Sequence, residues 1–582
     1  MTTTRSGFTK LAAVCIAILL GAVVWELGWP LTRAEHEWSR LIAAVATLGH
    51  LTGILGSYFR KEINRPSLRL LIFQIISCLM IFLLIAREQQ EAGYMRFTEL
   101  SRLVITAGLI AIPTLMSLTR IFEWLVGKQK KGRPLMAPAM QFVASLGVVI
   151  LAGTGLLLLP NSTYPGITLS FTDALFTSTS AVCVTGLNAV DFAHTFTPLG
   201  EMFTLALIQI GGFGIMTFAY FVAMVAGQGF SLRDRVLLTD LLDEDNLGAV
   251  VSFITTIVVS TLFIELCGAV LLYFSWEGKD INLMGEPLWW HSLFHSVSAF
   301  CNAGFSTFPM NLMEPGIRLC YSGQAVIMAL IVCGGLGFGI YKEINSRLAN
   351  RFFSKHRRLH MQWTPYFKLV MISTGILLAG GALAIFAVSS PHAAEPLGEH
   401  LWICLFDSVR GRTAGFNISD YSRYLPAASL IMCGLMMVGG SPGGTAGGMR
   451  TTTCAIAGAE ILRILRGRDH VEFFRRRIDQ RTVARCVITV VVSCAWIGCF
   501  TVLICALEPS MSSLDIFFEN CSAFATVGVS RGITPDLSDP SKYLLIVNML
   551  AGRVGLFAFL IALAGTPTPR HYRYPSVKIP LT

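Results

Sequence analysis

The chain has 582 residues, of which 53% are hydrophobic and only 14% are charged, and its mean hydropathy is +0.62. Soluble proteins carry about a quarter charged residues, so the composition excludes a soluble multidomain protein. The formal net charge of +10 comes from basic residues that gather in short clusters between apolar blocks. We therefore predict an all-α polytopic membrane protein.

Apolar blocks of roughly the 20 residues that a helix needs to cross hydrocarbon recur along the chain. The first four predicted spans cover residues 8–29, 39–59, 67–86 and 98–124. Eight more, making about twelve in all, are predicted at residues 138–160, 199–226, 249–274, 322–345, 366–389, 427–460, 485–507 and 542–565. The only arginines of the fourth span are Arg102 and Arg120, too few for a voltage sensor. We interpret residues 1–125 as an accessory N-terminal membrane bundle.

Most of the 45 Lys and Arg residues fall in one set of alternating loops and tails. Their clusters include KQKKGR (128–133), KHRR (355–358), RILRGR (463–468) and RRR (475–477). An excess of basic residues marks the cytoplasmic side, so both termini are predicted to be cytoplasmic. Topology and lipid headgroups explain these clusters better than nucleic acid does. The 15 cysteines lack CxxC and metal-ligand spacing, and predict neither a disulfide framework nor a metal site.

Four short segments between the spans resemble one another. They read SAVCVTGLN (180–188), SAFCNAGFS (298–306), RGRTAGFN (410–417) and SAFATVGVS (522–530). In each, a glycine precedes an apolar residue and then Asn or Ser, and these glycines lie 118, 111 and 113 residues apart. Four copies at a near-constant period indicate an internal repeat.

The repeat extends beyond these segments. A phenylalanine precedes the glycine in every copy. It lies ten residues before in the first, second and fourth copies, at Phe176, Phe294 and Phe518, and nine residues before in the third copy, at Phe406. A second glycine cluster follows the first glycine by 24 to 30 residues, as GGFG (211–214), GGLG (334–337), GGSP (439–442) and GRVG (552–555). Each unit thus predicts a span, a short re-entrant helix, a loop and a second span. Two crossings per unit place four parallel units around an axis along the membrane normal.

Glycine-containing loops at membrane depth suit a cation path. Extended backbone can turn its carbonyl oxygens inward and replace the hydration shell of a monovalent cation. The re-entrant helices would direct their negative C-terminal ends at the same axis. Asp191 and Asp420, each five residues past a loop glycine, either concentrate cations at the mouth or are ordinary turn residues.

On these motifs, together with GGSPGGTAGGMRTTT (439–453) and AGRVG (551–555), the sequence resembles the Trk/Ktr/HKT superfamily of potassium transporters. The resemblance covers roughly residues 138–582 and is strongest to the bacterial TrkH and KtrB membrane subunits. It implies four non-identical M1-P-M2 (span, pore helix, span) repeats around one pseudo-fourfold pore. The implied repeats are residues 138–228, 248–350, 365–467 and 482–582.

The resemblance also implies the residues of a selectivity filter that binds the transported K+. These are Val184, Thr185, Gly186, Asn302, Ala303, Gly304, Thr413, Ala414, Gly415, Thr526, Val527 and Gly528. In the family, a glycine in the first loop goes with potassium selectivity, and certain plant members with serine there pass sodium. Gly186 therefore favours potassium. Cys183 and Cys301 depart from the small or polar residues usual in the family, which leaves fine selectivity open.

The glycine-rich stretch in the third repeat predicts a broken helix below the filter, because Pro442 removes a backbone donor and glycine favours flexible backbone. The resemblance implies an intramembrane gate at this place. Its residues are Gly439, Gly440, Gly443, Gly444, Thr445, Gly447, Gly448 and Arg553. The arginine that matches Arg553 is an electrostatic barrier in the family, whereas a purely structural arginine is the alternative. We expect Arg410 and Arg412 to be structural and to pair with nearby acids.

Partners follow from the resemblance as well. It implies a homodimer in the bacterial inner membrane that binds a cytosolic RCK-type nucleotide-binding regulatory subunit of the TrkA/KtrA kind, with 342–368 and 463–485 as docking loops. No organic cofactor is expected in this chain. The sequence lacks the GxxxxGK[ST] of a phosphate-binding loop, so we predict no enzyme. A sodium-permeable pore and a Na+- or H+-coupled symporter stay open as alternatives.

Overall fold

A computed structural model gives the fold of most of the chain. It describes residues 7–32, single positions between 35 and 52, and residues 138–214, 250–353, 363–389, 396–421, 424–557 and 559–560. The predicted spans 67–86 and 98–124, most of 39–59, and the ends of 199–226 and 542–565 lie outside the described residues. So do the KQKKGR and KHRR clusters. The accessory bundle, the four repeat boundaries and the count of twelve spans stay predictions.

The described residues are mostly helical. The helices are α1 (Gly7–Gly28), α2 (Pro138–Leu157), α3 (Phe171–Cys183), α4 (Pro198–Phe213), α5 (Val250–Trp276), α6 (Leu288–Cys301), α7 (Tyr321–Leu336), α8 (Phe338–Phe353), α9 (Pro365–Val388), α10 (Leu397–Arg410), α11 (Pro426–Met437), α12 (Thr451–Leu465), α13 (Gln480–Leu507), α14 (Ser513–Ala525) and α15 (Asp539–Val554). Single helical turns lie at Pro160–Ser162, Phe192–Thr195, Asn311–Met313 and Pro315–Arg318. One antiparallel hairpin joins β1 (Glu472–Phe473) to β2 (Arg476–Arg477).

Three of the described helices, α5, α9 and α13, are long and apolar enough to cross a membrane. Large apolar side chains on these helices are exposed, including Phe263, Phe274, Leu383 and Val502. A helix that presents apolar side chains outward matches a lipid environment rather than water. α2, α4 and α11 are shorter apolar helices. The chain is a multi-pass membrane protein.

The predicted span 322–345 is not one straight helix. α7 ends at Leu336, α8 begins at Phe338, and the two helices meet at 94°. The break falls at Gly337, whose φ of 89° is outside the helical region. α8 also carries polar and charged residues, among them Lys342, Glu343 and Arg347, that a span would exclude. Uninterrupted hydropathy over the first half of the block concealed the turn.

A single capping pattern ends three of the helices that precede the loop glycines. In α3, Val184 takes a left-handed conformation, while the Val184 N–H bonds to the Ala181 carbonyl and the Thr185 N–H bonds to the Ser180 carbonyl. These two bonds are those of a Schellman motif, which satisfies the last carbonyls of a helix. The same pair of bonds ends α6 at Asn302 and α14 at Thr526.

The buried apolar residues form three main clusters that together connect the helices into a ring. The largest runs from α2 and α4 through α6 and α7 to Phe406 of α10. A second packs α11 against α13, α14 and α15. The third cluster closes the ring. In it, Phe176 of α3 and Leu187, which follows α3, pack with Ile516 of α14 and Leu545 of α15. The core therefore surrounds the four loop glycines.

Candidate ion filter and gate

Four loops, which we call the first to fourth glycine loops, follow α3, α6, α10 and α14. They comprise residues 184–188, 302–306, 413–417 and 526–530. Each opens on a non-glycine residue with positive φ, namely Val184 (57°), Asn302 (61°), Thr413 (70°) and Thr526 (50°). Two residues later comes a glycine, again with positive φ, namely Gly186 (87°), Gly304 (72°), Gly415 (72°) and Gly528 (86°). A β-branched residue such as Val184 rarely adopts this conformation, and such strain concentrates at functional sites.

The four glycines form a closed ring of backbone contacts. A methyl group added to Gly186 would collide with the Ala303 carbonyl oxygen of the second loop. The same contact repeats from Gly304 to Ala414, from Gly415 to Val527, and from Gly528 back to Thr185, always with the added carbon within 2.8 Å of a carbonyl oxygen. The four glycines and the residues that precede them, Thr185, Ala303, Ala414 and Val527, therefore lie in one ring. Only glycine leaves room for the neighbouring carbonyl at these positions.

The helices in front of the loops hold the loop backbone with one further side chain each. Ser180 and Ser522 accept hydrogen bonds from the N–H groups of Gly186 and Gly528, at 3.0 and 3.1 Å. In the second loop, Ser298 instead donates to the Phe305 carbonyl, at 2.8 Å. The corresponding residue in the third copy is Arg410, which donates to the Phe416 carbonyl and to the Asn417 side chain.

A second set of glycines brings the following helices close beneath the loops. Gly211, Gly334 and Gly552 lie so near the carbonyl oxygens of Val182, Phe300 and Phe524 that no β-carbon would fit. Below these contacts α4, α7 and α15 all end, at Gly214, Gly337 and Gly555, with φ of 75°, 89° and 90°. In each cluster, an early glycine thus allows close packing of the helix against the end of the preceding helix, and the last glycine ends the helix.

The third copy differs, because α11 stops at Met437 and helix resumes only at Thr451. The intervening 438–450 segment is held at its base by the Gly439 N–H, which donates to the Met449 carbonyl at 2.8 Å. Its tip packs on the end of α7, where the Ser441 N–H donates to Gly335 and the Gly443 carbonyl accepts from the Phe338 N–H. The broken helix predicted from Pro442 and its glycines is present.

The 438–450 segment also lies directly against the glycine loops. A β-carbon on Gly447 would collide with the Thr526 hydroxyl, and one on Gly448 would press on Ala525. The Thr445 hydroxyl donates to the Phe300 carbonyl, at 3.2 Å. The segment therefore covers the ring from the side on which α4, α7 and α15 end.

Arg553 lies on the last turn of α15 and connects the 438–450 segment to α4. Its guanidinium donates one hydrogen bond to the Thr445 carbonyl and one to the Gly211 carbonyl. Both acceptors are neutral, so neither cancels its charge. The charge of Arg553 therefore lies at the end of α15, between the 438–450 segment and α4.

The two arginines around the third loop have different partners. Arg410 is fully buried and forms an ion pair of 3.0 Å with Asp407, as the sequence predicts. Arg412 is also buried, but it donates to the Gly439 carbonyl at 3.5 Å rather than to an acid. Asp191 caps the one-turn helix after the first loop and accepts from the His194 N–H. That contact favours the turn-residue interpretation of Asp191.

Several buried acids escaped sequence reasoning because no local pattern marks them. Glu201 accepts a hydrogen bond of 2.7 Å from the indole of Trp290, and this bond ties α4 to α6. Glu265, inside α5, accepts from the Gln209 side chain. Glu519, inside α14, accepts from the Ser530 hydroxyl of the fourth loop. Membrane-depth carboxyls are rare, and each of these lies on a contact between elements.

A scan against protein families matches the model described as "TrkH: Cation transport protein" over residues 105–574. The chain belongs to this family. It is 32% identical to Ktr system potassium uptake protein D of Bacillus subtilis over 76% of the chain and 97% of that protein. Ktr system potassium uptake protein B of Bacillus subtilis is 34% identical, over 74% and 94%. Potassium/sodium uptake protein NtpJ of Enterococcus hirae is 32% identical, over 78% and 99%.

The fold has a solved counterpart in the crystal structure of the potassium transporter TrkH from Vibrio parahaemolyticus. The TM-score is 0.56, and the match covers 96% of this chain and 99% of that one. Identity is 16%, so this likeness speaks for the fold alone. The family resemblance found in the sequence is confirmed, and these relatives are named as uptake proteins for potassium or for potassium and sodium.

Proposed function

We propose that the chain takes up potassium across the cytoplasmic membrane through a filter lined by the carbonyl oxygens of the four glycine loops. The observation that carries the proposal is the closed ring from Gly186 through Gly304 and Gly415 to Gly528. Rings of backbone carbonyls replace the hydration shell of a monovalent cation. The ends of four helices, α3, α6, α10 and α14, meet at this ring and favour positive charge there.

The proposed architecture is four parallel M1-P-M2 units around one pseudo-fourfold pore. The order of long helix, short helix, glycine loop and second helix recurs along the described residues and supports it. The third apolar cluster, which packs the first quarter against the last, supports closure of the ring. Residues 1–125 would stand outside the pore.

Potassium is proposed as the cargo on two grounds. Two relatives above 30% identity carry the name of potassium uptake proteins. In addition, Gly186 is the residue that goes with potassium in the resemblance, and its contact with Ala303 leaves no room for a side chain.

We further propose that the 438–450 segment and Arg553 close the path beneath the filter. Contacts of Gly447 and Gly448 with the fourth loop support this placement. Opening would require two changes. The segment would have to move away from Thr526, and Arg553 would have to break its hydrogen bond to Thr445.

Control by a cytosolic nucleotide-binding subunit of the RCK kind, and assembly as a homodimer, belong to the same proposal. Exposed arginines after α12, including Arg466, Arg468, Arg475, Arg476 and Arg477, offer such a subunit a basic surface. The basic excess on this side also supports cytoplasmic termini.

Uptake in cells that lack potassium transport systems tests the proposal. The wild-type chain, expressed with its regulatory subunit, should restore growth at low potassium, and Gly186→Ser should restore it less well and admit more sodium. No rescue by wild-type protein that has reached the membrane would contradict the proposal.

Sodium is the second candidate, because the relative from Enterococcus hirae is named a potassium/sodium uptake protein. A sodium-permeable pore or a coupled symporter would use the same ring. Fluxes of both ions in reconstituted protein separate the candidates: fixed stoichiometry would indicate coupling, and sodium preference would contradict the assignment from Gly186.

A further inference from the structure

The residue that follows the repeated phenylalanine occupies one register in all four copies. Here the chain has Thr177, His295, Asp407 and Glu519. All four side chains are buried, with exposures of 1% or less. Their chemistry differs completely, so no residue pattern connects them. Two of the four nevertheless bond directly to the residue two positions past the loop glycine, and Asp407 reaches that residue through Arg410.

Glu519 holds the fourth loop. Its carboxylate accepts hydrogen bonds from the Ser530 hydroxyl and from the Arg531 N–H, the latter at 2.8 Å. It also accepts from the Thr534 hydroxyl, at 3.0 Å. Ser530 in turn accepts from the Gly532 N–H, so its own proton is free to point at Glu519. The carboxylate thus fixes the loop just past Gly528.

His295 holds the second loop in a matching way. Its Nδ1 lies 2.7 Å from the His291 carbonyl oxygen, which can only accept, so Nδ1 carries the proton. Its Nε2 is therefore the acceptor in the 2.8 Å bond with the Ser306 hydroxyl. Ser306 also accepts from the Phe308 N–H, as Ser530 does from Gly532. A neutral histidine here replaces the carboxylate of Glu519.

Asp407 acts on the third loop through an intermediary. It pairs with Arg410 at 3.0 Å, and Arg410 donates to the Asn417 side-chain oxygen at 2.9 Å. The Asp407 carboxylate also accepts from the Tyr424 hydroxyl, at 2.7 Å. The donor and acceptor are reversed relative to the other loops, because Asn417 accepts where Ser306 and Ser530 donate.

The first loop lacks this contact. Within the described residues, the Thr177 hydroxyl and the Asn188 side-chain oxygen are buried and have no hydrogen-bond partner. Thr177 therefore shares the register and the burial of the other three residues but not their bond to the loop. It supplies an internal control for the role of that bond.

We propose that His295, Asp407 with Arg410, and Glu519 are positioning residues that fix the second, third and fourth glycine loops and thereby set ion discrimination. The inference rests on the proposed function, since it presumes that the ring selects ions. Each residue acts through the side chain two positions past the loop glycine. None of them contacts the ion.

Four variants test the role at the fourth loop. Glu519→Gln keeps an oxygen for Ser530 and Arg531, and its amide can donate to Thr534. Glu519→Leu has a similar size but no acceptor, and Ser530→Ala removes the donor on the other side of the bond. Thr177→Val is the matched control. The readout is the concentration of Na+ that halves Rb+ uptake in liposomes containing the purified protein, alongside total Rb+ flux.

We expect Ser530→Ala to lower the preference for Rb+ over Na+ by about tenfold, the effect of losing one buried hydrogen bond. Glu519→Leu removes three hydrogen bonds to this region and should lower the preference at least as much. Glu519→Gln and Thr177→Val should keep the wild-type preference. If Glu519→Leu does not fold, Ser530→Ala carries the same expectation.

Two outcomes would overturn the inference while the proposed function stands. In one, wild type prefers Rb+ but Ser530→Ala discriminates as well as Thr177→Val. In the other, Glu519→Gln loses as much preference as Ser530→Ala, which would assign the effect to charge instead of position. Absence of any Rb+ preference in wild type would contradict the proposed function itself.

Discussion

The Arg553 guanidinium donates a hydrogen bond to the carbonyl oxygen of Thr445, 108 residues earlier in the chain. The same side chain also bonds to Gly211, so it joins the end of α15 to the 438–450 segment and to α4. Because both acceptors are neutral carbonyls, the arginine can hold the segment in place and still present its charge below the ring. The two roles can be separated by substitution.

Arg553→Met removes both the charge and the hydrogen bonds, and should raise Rb+ flux per molecule severalfold. Arg553→Lys keeps the charge but cannot reproduce two diverging hydrogen bonds, so its flux should lie between wild type and Arg553→Met. Flux in liposomes, normalised to reconstituted protein, is the measurement. Arg463→Gln, which removes an arginine paired with Glu460 at the end of α12, is the control and should match wild type. Equal flux in all four proteins would remove Arg553 from the gate.

Gly447 has no room for a side chain, because it packs directly against Thr526. Gly447→Ala would press on the Thr526 hydroxyl and prevent the segment from seating, so flux should rise while the preference for Rb+ over Na+ persists. Shortening 443–448 should have the same effect. Gly458→Ala, inside α12 with open space around it, is the matched control. A Gly447→Ala protein with wild-type flux would indicate that the segment is not a barrier.

Gly186 can be compared with a second glycine of nearly identical backbone. Gly186 and Gly166 have φ of 87° and 91°, but only Gly186 has a neighbouring loop against it. Alanine at either position incurs a conformational cost of about 1–2 kcal/mol. We expect Gly166→Ala to lower thermal stability slightly and keep selective Rb+ flux, whereas Gly186→Ala loses selective flux. Similar flux and selectivity in both would argue against a ring at this contact.

Glu286 gives the protein a pH-dependent stability near neutrality. Burial raises the pKa of Glu286 to about 7, although a hydrogen bond with Glu201 acts in the opposite direction. An exposed glutamate titrates near about 4.3, so between these values the folded protein binds a proton that the unfolded chain has lost. The contribution of Glu286 to the free energy of unfolding therefore falls as pH rises from about 4.3 to 7 and levels off above.

Melting temperature of the purified protein between pH 5 and 8 checks this dependence. Glu286→Gln should show a smaller decline with pH than wild type, because one titrating group is gone. Glu277→Gln, which changes an exposed acid in the same segment between α5 and α6, should follow wild type. Parallel curves for wild type and Glu286→Gln would contradict the account.

The sequence predicts the main elements well where a pattern repeats. The short helices α3, α6, α10 and α14 and the break after Met437 follow from the four glycine loops and from Pro442. The sequence does not predict the right angle between α7 and α8 at Gly337, because the apolar block continues across this glycine. The contacts behind the loops could not be predicted either: Thr177, His295, Asp407 and Glu519 share a register but no chemistry. Likewise, Trp290 and Glu201 meet only in three dimensions.

We propose a single potassium-selective path through the ring that contains Gly186. The most direct test is the reversal potential of purified wild-type protein in a bilayer with K+ on one side and Na+ on the other. K+ should set the potential of the wild-type protein, and Gly186→Ser should shift it toward the Na+ value. A wild-type potential set by Na+, or one that Gly186→Ser leaves unchanged, would contradict this proposal.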